Sequence, residues 1–103
     1  MTLNQAVSQL KQAGLHVRLM DDSMIAGGGY VDRTGPCSMV MDSFSIQSQE
    51  GGFRTYIARV HQYPEGTLLS TLEEAVALVI KEVPPGKDLE PPPRPPSSGP
   101  VYY

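Results

Sequence analysis

Cysteine, tryptophan and long apolar runs are scarce or missing in this sequence. It contains one cysteine and no tryptophan among 103 residues. A small extracellular domain usually carries an even set of cysteines for disulfide bonds, so the single Cys37 favours a reducing compartment, and we expect a cytoplasmic protein. The longest unbroken apolar run, residues 75–80, is far shorter than the ~20 residues of a membrane span. Residues 1–15 lack the basic start and cleavage site of a signal peptide.

Positive charge is also sparse. The eight Lys and Arg residues are scattered singly along the chain, and the net charge is -3. Binding to a nucleic-acid backbone depends on clustered cations, so the sequence predicts no nucleic-acid partner. Together with the short apolar runs, this distribution predicts no membrane partner either.

Apolar residues make up 40% of the chain, enough for one core, and two segments place them at helical spacing. Near the N-terminus, residues 3–13 have one apolar stripe, and Thr2 with Gln5 fits a capping box. Near residue 72 a second helix opens with Thr71 and Glu74 and runs to about Val83. Its predicted buried stripe consists of Leu72, Ala75, Val76, Val79, Ile80 and Val83.

Between the helices, four segments alternate or are rich in β-formers, and turn residues separate them. The predicted strands are residues 15–20, 24–31, 37–48 and 53–63. The third changes apolar parity between Met41 and Phe44, which predicts a bulge near Asp42 and Ser43. The sequence therefore predicts an α+β two-layer sandwich: a helix, a four-stranded antiparallel meander and a helix, with both helices on one sheet face.

The composition changes at Pro84, because eight of the ten prolines lie in the last twenty residues. Proline removes backbone donors and forces extended conformations, so residues 84–103 are predicted to be a disordered, proline-rich tail. Residues 1–83 form the one predicted domain, which we expect to keep its fold without the tail. Residues 91–96 also fit the pattern of ligands of proline-recognition domains, but a linker or solubilising tail is the favoured interpretation.

No motif in the sequence specifies a reaction. The triple glycine at 27–29 lacks the spacing and the following Lys of a phosphate loop, and favours a bulge or a flexible hairpin arm. Cys37 could be drawn into a triad with His61 or His16 and with Asp42, but its place at a strand start favours a small apolar strand residue. No metal-ligand spacing occurs. We therefore predict no catalytic residues, no cofactor and no metal, and expect a protein that is not an enzyme.

Strand alternation gives the functional hypothesis. If Leu15, Val17 and Leu19 face the helices, the residues between them face away. In the fourth strand, burial of Tyr56, Ala58 and Val60 would likewise turn the residues between them outward. The predicted partner-binding residues on this open sheet face are His16, Arg18, Ser45, Gln47, Arg59 and His61. The predicted function is a small adaptor, inhibitor or immunity-type factor that binds another protein through the open face or a strand edge.

Two alternatives remain open at this point. A small enzyme or ligand-binding domain would have its site between the sheet and the helices, in a pocket with convergent polar groups. A self-assembling subunit would instead pair a strand edge with a second copy of the chain, giving a homodimer.

Overall fold

The computed structural model of the chain describes residues 1–62 and 65–92, and these form the predicted α+β fold. Two helices flank seven strands in chain order. Their bounds are α1 (Leu3–Gln12), β1 (His16–Asp21), β2 (Met24–Gly28), β3 (Tyr30–Asp32), β4 (Met39–Met41), β5 (Phe44–Gln49), β6 (Gly52–Ile57), β7 (Thr67–Leu69) and α2 (Leu72–Glu82).

Both helices begin at the predicted threonine capping boxes. The Thr2 hydroxyl accepts the Gln5 N–H at 3.1 Å, and Gln5 Oε1 accepts the Thr2 N–H at 2.8 Å. At the start of α2, Thr71 and Glu74 make the same reciprocal pair. Each box satisfies two N–H groups that a helix start leaves without partners. The sequence signal therefore located both starts correctly.

Five strands form an antiparallel sheet in the order β1-β2-β5-β6-β7, and β3 pairs with β4 in a second, two-stranded sheet. Because β2 leads into β3 and β4 into β5, these four strands are one long hairpin with a bend. At the bend, the Gly29 N–H donates to the Met41 carbonyl at 2.9 Å, and Asp42 has a φ of +53°. We call residues 30–41 the hairpin arm. Its base lies where the sequence predicts a bulge.

The core lies between the two helices and one face of the five-stranded sheet. Strand register alternates the side chains, so every second residue of each strand meets the helices. Thirteen buried side chains form this cluster: Ala6, Leu10, Leu15, Val17, Ile25, Phe44, Ile46, Ile57, Leu72, Ala75, Val76, Val79 and Val83. The opposite sheet face has no helix on it among the described residues. We call it the open face.

The strand prediction was wrong in its bounds and in one parity. Each of the two predicted strands at 24–31 and 37–48 is divided by the bend, and the fourth strand ends at Ile57. Thr55 and Ile57 are fully buried, whereas Val60 is 51% exposed, the reverse of the predicted pattern. The cause is register: β5 pairs Phe44 with Ile57, which puts that parity of β6 on the helix side.

Two further predicted core residues are exposed. Leu19 is 39% exposed because β1 is an edge strand whose pairing with β2 shifts between Leu19 and Asp21. Ile80 is 43% exposed, while Val79 and Val83 are buried. The buried stripe of α2 is thus centred away from Ile80. Leu78 is partly buried and packs against the core.

Residues 84–90, which we call the clasp, leave α2 and run beside β3. The Gly86 N–H donates to the Gly29 carbonyl at 3.0 Å, the Leu89 N–H to the Val31 carbonyl at 2.9 Å, and the Arg33 N–H to the Leu89 carbonyl at 2.8 Å. Asp32 and Leu89 form a parallel bridge. The sequence did not indicate this contact. The rest of the predicted disordered tail, residues 93–103, lies outside the described residues.

Candidate functional site

The open face has an unusual charge distribution. Its side chains in the five-stranded sheet include two arginines, although the chain as a whole has a net charge of -3. The register places one carboxylate there, Asp21 at the end of β1 opposite Met24, and it accepts hydrogen bonds from the N–H and the hydroxyl of Ser23. In register order the central positions are Arg18, Ala26, Ser45 and Tyr56 in one row, and Met24, Gln47, Arg54 and Leu68 in the next. The acidic residues of the described chain lie in turns, helices, strand ends and the clasp.

Neither arginine on the open face has an acidic partner in the part of the chain that the structure describes. Arg18 Nε donates to Met20 Sδ at 3.3 Å, and Arg54 Nη1 donates to the Glu65 carbonyl at 3.2 Å. A thioether and a peptide carbonyl are weak counterparts for a guanidinium, which matches a carboxylate best. Both guanidinium groups can therefore still donate hydrogen bonds to a carboxylate.

The hairpin arm crosses one end of the open face, and the absence of a side chain at Gly28 allows this crossing. A Cβ atom at Gly28 would lie 2.5 Å from both Val40 Cγ1 and the Met41 carbonyl oxygen. Only a residue without a side chain leaves that space to the arm. The arm therefore contacts the sheet closely and stands over β1 and β2.

A groove lies between the hairpin arm and the open face. Its volume is about 460 Å³, and its lining is mostly apolar. The lining residues are His16, Val17, Arg18, Met20, Ala26, Gly27, Val31, Val40, Ser43 and Phe44. Another depression, beside the outer side of α1, is lined mainly by Asn, Gln and Ser side chains and offers little apolar contact.

Asp88 of the clasp joins three parts of the molecule at the edge of the groove. Its carboxylate accepts the Val31 N–H at 2.9 Å and Arg33 Nη1 at 3.0 Å, and it lies 2.9 Å from His16 Nε2. The Val31 N–H, followed by the Arg33 side chain, lowers the pKa of Asp88 from 3.8 to about 2. The ionised carboxylate thus holds β1, the arm and the clasp together.

Four of the six predicted partner-binding residues lie on the open face. They are His16 and Arg18 on β1 and Ser45 and Gln47 on β5. Of these, His16 and Arg18 line the groove. Ser45 and Gln47 lie in the central strand, two strand spacings from β1.

The other two follow the end of β6 and have local partners. Arg59 Nη1 lies 3.5 Å from Asp42 Oδ2 at the bend. His61 Nδ1 accepts the Ile57 N–H at 3.1 Å, and its Nε2 lies 2.9 Å from the Thr67 hydroxyl. His61 therefore closes the loop between β6 and β7. The expected strand positions of Arg59 and His61 were wrong because β6 ends at Ile57.

Sequence reasoning missed Arg54, Tyr56 and the apolar pair Val31 and Val40. The first two were assigned to the wrong sheet side by the parity error in β6. The sequence did contain a signal for Val31 and Val40. The triple glycine and the parity change near Asp42 lie on opposite strands of one hairpin, and together they indicate a bend in both strands at the same point. No sequence signal would have brought Asp88 to this site.

The described residues contain no group of three or more His, Cys, Asp and Glu side chains that could hold a metal ion. Cys37 is exposed in the turn of the hairpin arm rather than at the start of a strand, where it was expected. In the described ranges, neither helix has the length and apolar character needed to cross a membrane. No protein-family model, curated protein or solved structure matches the chain.

Proposed function

We propose that this protein is a small non-enzymatic binding module that recognises another protein through its open face. One observation carries the proposal: the open face presents Arg18 and Arg54 without acidic partners among the described residues, next to an apolar groove. An unpaired surface cation is ordinary, but its combination with a concave apolar surface on a helix-free sheet face suits recognition.

The size of the open face sets what kind of interface it can form. Five strands span ~19 Å across the sheet, and five residues span ~17 Å along it, which gives roughly 320 Å². A standard interface buries ~800 Å² on each partner. The hairpin arm, with Met39 61% exposed and Val40 48% exposed, supplies further contact area beside the sheet. A partner that binds both surfaces would therefore bury more area than the sheet face alone offers.

The enzyme or ligand-binding alternative expects a pocket between the sheet and the helices. That space contains the packed core, where Ile25, Ile46 and Ile57 are fully buried. The groove lies on the opposite side of the sheet, so this alternative has less support than binding at the open face.

The self-assembly alternative depends on β1, which is an edge of the sheet. Leu19 and Met20 on this strand are 39% and 47% exposed. An exposed edge with apolar side chains can pair with another strand. A size measurement of the purified protein across a concentration series decides this alternative, since a dimer would dissociate on dilution.

To test the proposal, we would isolate a stoichiometric protein partner from the native host's lysate, purify it, and measure its affinity for variants. The double variant Arg18→Glu and Arg54→Glu should weaken binding by tenfold or more, equivalent to ~1.4 kcal/mol. The matched control Lys11→Glu and Lys81→Glu makes the same charge change on the helix side and should leave affinity unchanged. Equal losses in both pairs would contradict a site on the open face.

A further inference from the structure

We infer that the groove under the hairpin arm receives one large apolar side chain of an acidic partner segment, and that Arg18 pairs with a carboxylate next to that side chain. The inference rests on the proposed function of the open face and names the chemistry of the partner there. It commits to a protein segment in which an aliphatic or aromatic residue lies beside Asp or Glu.

The groove has the size and surface for such an anchor. Its volume of about 460 Å³ lies within the ~300–1,000 Å³ typical of pockets that enclose compact ligands. Met20 and Val40 on its walls are 47% and 48% exposed, so each has apolar surface left to cover. Ala26 lies between them on β2 and leaves room above the sheet. Central apolar anchors in such recesses supply most of the affinity of small interfaces.

The positive charge of Arg18 at the groove favours an acidic residue next to the apolar side chain of the partner segment. Arg18 lines the groove, and within the described chain its only polar partner is Met20 Sδ. The Asp88 carboxylate is engaged by Val31, Arg33 and His16, and in the described residues it makes no ion pair with Arg18. A partner carboxylate could form the two parallel hydrogen bonds that a guanidinium offers.

The groove also exists before the partner arrives. The arm is held over the sheet by the close approach at Gly28 and by the clasp hydrogen bonds to β3. A preformed recess binds without the entropic cost of ordering a loop, which favours a short partner segment.

The probe for this inference is a display library of random twelve-residue peptides selected against the full-length protein. We expect enriched peptides to place one Leu, Ile, Phe or Met beside Asp or Glu. Their affinity should fall tenfold or more for Ala26→Leu, which fills the groove, and for Arg18→Gln, which removes the cation. The matched controls Ala77→Leu and Lys11→Gln make the same changes at exposed helix positions and should not alter it.

Circular dichroism and the melting temperature of Ala26→Leu would show that its fold is kept; if it is not, Val40→Ala, which removes apolar contact at an exposed position, replaces it. Peptides that bind Ala26→Leu and Arg18→Gln normally but lose affinity for Arg54→Glu would overturn the groove assignment and leave the proposed function standing. Enrichment of basic peptides, or of none, would overturn the inference. Peptides insensitive to every open-face substitution would contradict the proposed function as well.

Discussion

The two faces of the five-stranded sheet differ in how they are covered. On one face, two helices bury a continuous set of aliphatic side chains, and Ile25, Ile46 and Ile57 have no exposed surface. On the open face, polar and cationic residues alternate with these, and the hairpin arm covers only one end. The covered face is made by residues that any compact domain needs, whereas the partial cover on the other face creates a recess. The core and the proposed binding surface thus use opposite parities of the same strands.

Substitutions at two neighbouring residues of β5 test most directly whether the two faces differ in packing. Ile46→Ala removes a fully buried side chain and should cost about 2–5 kcal/mol in the free energy of unfolding. Gln47→Ala, one position along and on the open face, should stay within about 0.5 kcal/mol. Denaturant midpoints of the two variants measure the difference. Similar losses would mean that the open face is packed in solution.

Gly28→Ala tests the contact that holds the arm over the sheet. The new methyl would lie 2.5 Å from Val40 Cγ1 and the Met41 oxygen. Overpacking of this kind costs about 1–3 kcal/mol, and it should outweigh the ~0.4–1 kcal/mol gained by restricting the unfolded chain. Gly35→Ala is the control, since its Cβ would meet only the Cys37 oxygen at 4.0 Å. Thermal unfolding of both variants should separate them, and a stable Gly28→Ala protein would show that the arm lies elsewhere.

Ile80→Ala locates the border of the covered face on α2. Because Ile80 is 43% exposed and alanine is the better helix former, the substitution should cost less than about 1 kcal/mol. Val79→Ala deletes fully buried methyl groups and should cost roughly 1.5 kcal/mol, at ~0.8 kcal/mol per buried carbon. Chemical denaturation ranks the pair. The reverse order would restore the helix rotation expected from the sequence.

Asp88→Asn should change the arm and leave the core as it is. The pKa of Asp88 in the folded protein, about 2, is below its ordinary value of 3.8. The ionised carboxylate therefore stabilises the arm fully above pH 3.8, and this contribution is lost as the pH falls toward 2. Amide exchange of Val31 and Leu89 should therefore be faster in the variant at neutral pH, and the two proteins should converge below pH ~2. Unequal exchange at the lowest pH would point to a contact other than the carboxylate.

The helices could be predicted because their signals are local. Thr2 with Gln5 and Thr71 with Glu74 are three residues apart, and the caps formed as the spacing indicates. The triple glycine and the parity change near Asp42 likewise marked the bend, although they did not show that the arm crosses the open face. These features depend on residues that are close along the chain.

Features that depend on distant residues could not be predicted. In residues 53–60, both alternations are apolar, Phe53 with Ile57 and Tyr56 with Val60, so only the pairing of β6 with β5 decides which side is buried. The groove depends on Val40, which the bend brings over Gly28. Asp88 lies in a proline-rich stretch and contacts His16 at a separation of 72 residues. Nothing in the local composition distinguishes such a residue from a solvated one.

The position of the clasp along the chain determines when the arm can be secured during folding. Val31 and Asp88 are separated by 57 residues, and closing so large a loop is slow compared with forming a hairpin. A growing chain emerges from its N-terminus, so β1 to β4 are complete long before the clasp is synthesised. Until α2 and the clasp arrive, the outer edge of β3 has unpaired backbone groups that another strand could occupy. Refolding followed residue by residue should show protection of Val31 and Arg33 amides among the last events.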